Sequence, residues 1–122
     1  MSERRLAYLT AIARIAIGTG FLAAPKLAGR AWVGDEAART RTALFIRAVG
    51  ARDVALGLGT ARALSTGAPA RSWLRASLLA DATDLAVTVA AWKELEPEAR
   101  AVVAPIAAIA TMAGVRFGSS VE

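Results

Sequence analysis

A chain of 122 residues is long enough for one compact domain and too short for two. Hydrophobic residues make up 56% of it and charged residues 20%, so the class is decided by where the charges fall. Cysteine, histidine, asparagine and glutamine are all absent. The chain therefore supplies no disulfide, no thiolate or imidazole nucleophile and no histidine- or cysteine-ligated metal, and neither a metal nor a cofactor is expected. Fifteen basic residues stand against ten acidic ones, a net charge of +5. Nucleic acid is not an expected partner, because the basic residues are scattered between apolar runs and no aromatic residues interleave with them as stacking platforms.

Taken in chain order, four apolar stretches predict helices, at 6–24, 43–64, 73–92 and 101–117. Each is close to the length of about 20 residues that crosses a hydrocarbon core. Arg4 and Arg5 precede the first, which raises the question of a secretory leader. Arg14 in its middle and Pro25 just after it are wrong for one, and a retained helix is expected. The connection from Pro25 to Thr42 is mixed in charge, with Gly29 and Gly34 as breaks and Lys26, Arg30 and Trp32 suited to an interface. Gly67 and Pro69 separate the second stretch from the third, and the acidic run 93–98 separates the third from the fourth. Trp32, Trp73 and Trp92 all fall at predicted interfaces. The fourth stretch carries Thr111 and a possible kink at Pro105, and is expected to pack outside the polar seam described next.

Six ionisable residues sit inside these stretches: Arg14, Arg47, Arg52, Asp53, Asp81 and Asp84. In lipid an unpaired Arg or Asp at a helix centre costs about 2.5–3.5 kcal/mol on insertion scales, so they must pair, turn inward or reach water. Their spacing supports an inward seam. Ser77, Asp81, Asp84 and Thr88 share one helix face, as do Gly50, Asp53, Gly57 and Ala61, and Thr10, Arg14, Gly18 and Phe21 form a similar stripe. Gly18, Gly50 and Gly57 are the positions at which helices are expected to approach closely. Asp81 and Asp84 are expected to pair with Arg14 and Arg47, and Asp53 with the third helix or with Arg14. Arg52, about 100° around the helix from Asp53, is expected to reach another subunit or a headgroup. No nucleophile–base couple is visible, so no catalytic residue is assigned.

The run Arg14-x3-Gly18-x2-Phe21-x4-Lys26-Leu27 resembles the first-helix pattern of the DoxX-like family of small bacterial four-helix membrane proteins. Arg47-x2-Gly50-x-Arg52-Asp53-x3-Gly57, with Asp81-x2-Asp84, looks like related membrane families of unknown function. The resemblance covers roughly residues 5 to 115. It implies a four-helix membrane fold. It also implies an association with quinone-linked or oxidative-stress chemistry, in which Arg14 and Lys26 would meet a headgroup or a partner. The absence of cysteine and histidine, and the Arg52-Asp53 and Asp81/Asp84 pattern, depart from a redox role.

The expectation is thus an all-α, integral membrane four-helix bundle forming one domain over 1–122. It would lie in the inner membrane, multi-pass, with both termini cytoplasmic. The leading function is a non-enzymatic subunit, homo-oligomeric or in a membrane complex, whose buried Arg/Asp network sets assembly. The alternative is a small transporter or a quinone- or lipid-binding protein that uses the seam as a polar site.

Overall fold

The computed structural model describes residues 1–120, except the side chains at 104, 107, 110, 111, 113 and 117–120; the expectations attached to Thr111 and Phe117 lie outside the described residues. It is all-helical, and no strand occurs among the described residues. Helix α1 (Glu3–Ala23) begins at Ser2, whose hydroxyl accepts from the Arg5 amide at 3.2 Å and so satisfies one of the free first-turn donors. It stops at Ala24, which precedes a proline and leaves the helical region. Pro25 then starts the four-residue α2 (Pro25–Ala28), and α3 (Arg30–Val33) follows. Gly34, at φ +64°, ends α3 and opens a 3-10 turn, Gly34–Ala38.

Helix α4 (Thr40–Thr66) runs 27 residues, about 40 Å at 1.5 Å per residue. Gly67 ends it in the left-handed conformation at φ +74°. Helix α5 (Arg71–Ala90) and α6 (Pro97–Ser120) complete the bundle, joined through a 3-10 turn at Trp92–Glu94. The four apolar stretches thus correspond to four long helices, and the first connection contains two short helices of its own.

Helices α1 and α4 run antiparallel and make the most extensive contact in the molecule. Arg4 meets Leu64, Gly57 meets Ala11, and Gly18 meets Gly50, a seven-residue register that follows one face of each helix. The approach is too close for side chains. A Cβ on Gly18 would lie 2.7 Å from the Gly50 carbonyl oxygen, and one on Gly50 would lie 2.6 Å from the Gly18 oxygen and 2.9 Å from the Leu22 nitrogen. Helix α5 packs mainly on α6, and the two pairs touch each other over a much smaller area.

The interior of this bundle is made of small residues. Ala7, Ala11, Ala37, Ala43 and Ala70 are buried with Ile46, Leu64 and Leu74, and no large side chain is fully buried among the described residues. The large apolar side chains point outward on all four long helices: Leu9 and Ile17 on α1, Phe45 and Leu58 on α4, Leu79 and Val89 on α5, Ile106 and Ile109 on α6, with Phe45 74% and Leu79 70% exposed. Among the described residues, one helix, α1, is long and apolar enough to cross a membrane by length and composition. Helices α4 and α5 carry Arg47, Arg52, Asp53 and Arg75, Asp81, Asp84 within their length.

Two glycine substitutions separate close packing from helix propensity. Gly50→Ala is expected to lower thermal stability, at the upper end of the about 1–3 kcal/mol that overpacking costs, because its Cβ meets backbone that cannot yield. Gly20→Ala, whose Cβ would come no nearer than 3.7 Å to Ala28, is expected to gain about 0.5–1 kcal/mol from helix propensity. Thermal unfolding of both proteins, followed by circular dichroism, measures the difference.

Candidate functional site

The charged seam forms where α1, α4 and α5 meet, and Asp53 of α4 is its hub. Arg14 Nη1 donates to Asp53 Oδ1 at 3.0 Å, and Arg14 Nη2 donates to Asp81 Oδ2 on α5. The guanidinium of Arg14 thus joins three helices. Arg52 donates from Nη2 and Nε to the same Asp53 oxygen, at 3.0 and 3.3 Å. Its Nη1 and Nη2 also form a two-toothed bond to Asp84, at 2.9 and 2.6 Å, the fork geometry that favours arginine over lysine. Side-chain exposures of 13% for Arg14, 11% for Asp53 and 12% for Asp81 place this half of the network inside the bundle. Arg52 and Asp84 are more open, at 31% and 25%.

Five of the six ionisable residues singled out in the sequence therefore come together, and Arg47 does not. Its Nε donates to the Leu22 carbonyl at 3.2 Å and its side chain is exposed. The reason is axial. Residue 47 lies about 9 Å along α4 from Asp53 at 1.5 Å per residue, opposite the end of α1 rather than its middle. Arg52 corrects the other half of the expectation. Its backbone position is off the inward face, but the long side chain folds back over Asp53 and across to Asp84, so it joins the network. Gly18, Gly50 and Gly57 stand at the α1–α4 contact. Ser77 and Thr88 are buried on the Asp81/Asp84 face, whereas Thr10 is exposed and bonds back to the Leu6 carbonyl at 2.9 Å.

A cavity of about 490 Å³ lies against this network. Arg14, Asp53, Asp81 and Asp84 form its polar floor, and Thr10 and Thr88 add hydroxyls. The walls are apolar: Ile17 and Phe21 from α1, Val49 from α4, and Val102, Val103 and Ile106 from α6. Helix α6 supplies none of the charges of the network but closes one side of the cavity. Exposed residues of the lining lie on α1 (Thr10, Ala13, Ile17), on α3 (Ala31) and on α6 (Val102, Ile106). The connection closes the end. Trp32 of α3 stacks on Phe21, ring centroids 6.1 Å apart, and its Nε1 donates to Thr88 Oγ1 at 3.2 Å. This use of Trp32 was not legible from sequence, where the residue reads as an interfacial anchor. Trp73 packs over Gly59, and Trp92 lies under the Arg100 guanidinium, 5.7 Å from its ring centroid.

Two guanidinium groups stand against three carboxylates in the network, leaving one formal negative charge when all are ionised. The floor of the cavity therefore favours a head that donates hydrogen bonds and disfavours an anionic one. Among the described residues no group of histidine, cysteine, aspartate and glutamate could hold a metal ion. No protein-family model, curated protein or solved structure matches the chain.

Removing one partner of a buried pair strands the others. Arg14→Met is expected to cost about 3–5 kcal/mol, because it leaves Asp81 without a partner and Asp53 with Arg52 alone. Arg14→Lys is expected to recover only part of this, since one ammonium does not reproduce a planar fork shared by two carboxylates. Arg47→Met is expected to stay within about 0.5 kcal/mol. Chemical or thermal unfolding of the three variants under one set of conditions distinguishes them.

Proposed function

We propose that the protein is a non-enzymatic, integral membrane four-helix bundle that binds a small amphipathic molecule between its two helix pairs. The head of that molecule is neutral and able to donate hydrogen bonds, of the quinol or lipid-alcohol type, and its apolar part lies along the walls formed by α1, α4 and α6. The single observation that carries this reading is the cavity of about 490 Å³ with apolar walls and an Arg/Asp floor. Pockets of this size, mostly apolar with a few convergent polar groups, are the usual form of a small-molecule site.

The membrane part of the reading is supported by the distribution of side chains. Burial of apolar surface drives folding in water, yet here alanine, glycine and ion pairs lie inside while leucine, isoleucine, valine and phenylalanine lie outside. Helix association through small residues and polar groups, under a lipid-facing aliphatic coat, is the pattern expected in a bilayer. Helix α1 meets the length and composition of a span, and Arg14 and Gly18 tie it into the bundle. The charges on α4 and α5 that lower their apolar character include Arg52, Asp53, Asp81 and Asp84, all of which are paired. The resemblance of Arg14 and its neighbours to the DoxX-like pattern agrees with this placement, and the inner membrane is the expected site.

A second reading, a non-enzymatic subunit in which the network only sets helix order and assembly, is favoured by the internal pairing of all five network charges. The two readings separate at Gly20, which lines the cavity and whose Cβ would come no nearer than 3.7 Å to Ala28. Gly20→Phe is expected to fill the cavity without disturbing the network. It should leave the oligomeric state and melting temperature near those of the parent and weaken quinol or long-chain alcohol binding by about tenfold or more, 1.4 kcal/mol. Native mass spectrometry on membrane-extracted protein measures both. Unchanged binding would remove the ligand reading, and recovery of the parent protein in the soluble fraction would remove the membrane one.

A further inference from the structure

The position of Arg47 outside the network points to a second site. A separate cleft of about 480 Å³ lies where α1 ends and α4 begins, lined by Pro25, Lys26, Leu27, Thr40, Leu44 and Arg47 among others. Its charged lining is wholly basic, with no carboxylate. The Nε bond to the Leu22 carbonyl holds the Arg47 guanidinium at the cleft and leaves both Nη atoms without a hydrogen bond among the described residues. Lys26 makes neither a hydrogen bond nor an ion pair there. The nearest acidic residues in the connection are already engaged: Asp35 with Arg30 at 3.2 Å, and Glu36 with Arg39 at 3.2 Å and with Thr42 at 3.1 Å. Among the described residues no carboxylate pairs with either cation.

Around the cleft the surface is apolar. Leu27 is 75% exposed, and Leu44 and Phe45 are also exposed. Two uncompensated cations and a hydroxyl beside large exposed aliphatic and aromatic side chains match the two chemistries of a phospholipid, an anionic phosphate and its acyl chains. Bidentate binding to phosphate is within the geometry of a guanidinium, and an ammonium contributes as a point charge. A free phosphate would use the cations and leave Leu27, Leu44 and Phe45 unexplained.

We infer that Lys26 and Arg47 hold the headgroup of an anionic phospholipid in this cleft, with its acyl chains running over Leu27, Leu44 and Phe45. The inference rests on the membrane part of the proposed function and is independent of the ligand in the central cavity. The two sites are of opposite preference, a donor-seeking floor inside and an anion-seeking cleft at the rim.

The test compares the parent with the double variant Lys26→Gln, Arg47→Gln, purified in a neutral detergent and titrated with phosphatidylglycerol, phosphatidylcholine or inorganic phosphate. Melting temperature and native mass spectrometry are the readouts. Both substitutions fall on surface positions, and the melting temperature without lipid checks that the double variant is folded. The expected result is a rise in melting temperature and retained lipid with phosphatidylglycerol in the parent only, with most of that rise lost in the variant. An equal response of the two proteins, an equal response to phosphatidylcholine, or stabilisation by inorganic phosphate alone overturns the inference. Recovery of the parent in the soluble fraction overturns both this inference and the membrane reading. A membrane-embedded protein whose lipid response ignores the two substitutions overturns this inference alone.

Discussion

The arrangement of the helices depends on one guanidinium that belongs to two carboxylates. Arg14 of α1 holds Asp53 of α4 and Asp81 of α5, and beside it the two helix pairs share the Arg52–Asp84 bond, the Glu3–Arg116 pair and the packing of Trp73 over Gly59. Within the first pair, cohesion comes from backbone approach at Gly18 and Gly50, a short-range force that needs small residues and tolerates no others. Between the pairs, the ion pairs of Arg14 and Arg52 supply an attraction that can act across a gap. The cavity is the gap. Side chains large enough to fill it would also have removed the space in which a ligand could meet the charged floor.

Ion pairs of this kind are poor investments in stability for a protein that folds in water, because desolvation offsets most of the attraction. Their value is in specificity. A register shift of α5 by one residue would turn both aspartates about 100° away from the guanidinium groups, so the network selects one alignment among the many that smooth alanine-rich helices allow. The aliphatic outer surface adds no such information, since Leu79, Val89 and Ile109 meet surroundings that look alike at every register.

The four helices and the inward seam were legible in the sequence because each rests on local pattern: apolar length, proline and glycine punctuation, and residues repeating every three or four positions. Charge and periodicity placed Arg14 among the partners of Asp53 and of the Asp81/Asp84 face, and left open which of them it holds. The exchange of roles between Arg47 and Arg52 was not legible. It depends on the axial offset between antiparallel helices and on side-chain reach, and neither quantity is local. The same holds for the cavity and for the Trp32–Thr88 bond across 56 positions of sequence. A connection read as two glycine breaks and an interfacial indole turns out to close one end of the bundle.

The hub at Asp53 also orders the life of the chain during its synthesis. Ribosomes deliver α1 and α4 first, and these two carry Arg14 and Arg52 against Asp53 alone, one positive charge in excess. Helix α5 arrives later with Asp81 and Asp84, two negative charges and no basic residue in the network. Each half is electrically incomplete, and of opposite sign. A chain that ends after Gly67 would therefore carry one network arginine without a carboxylate, and the arrival of α5 supplies it.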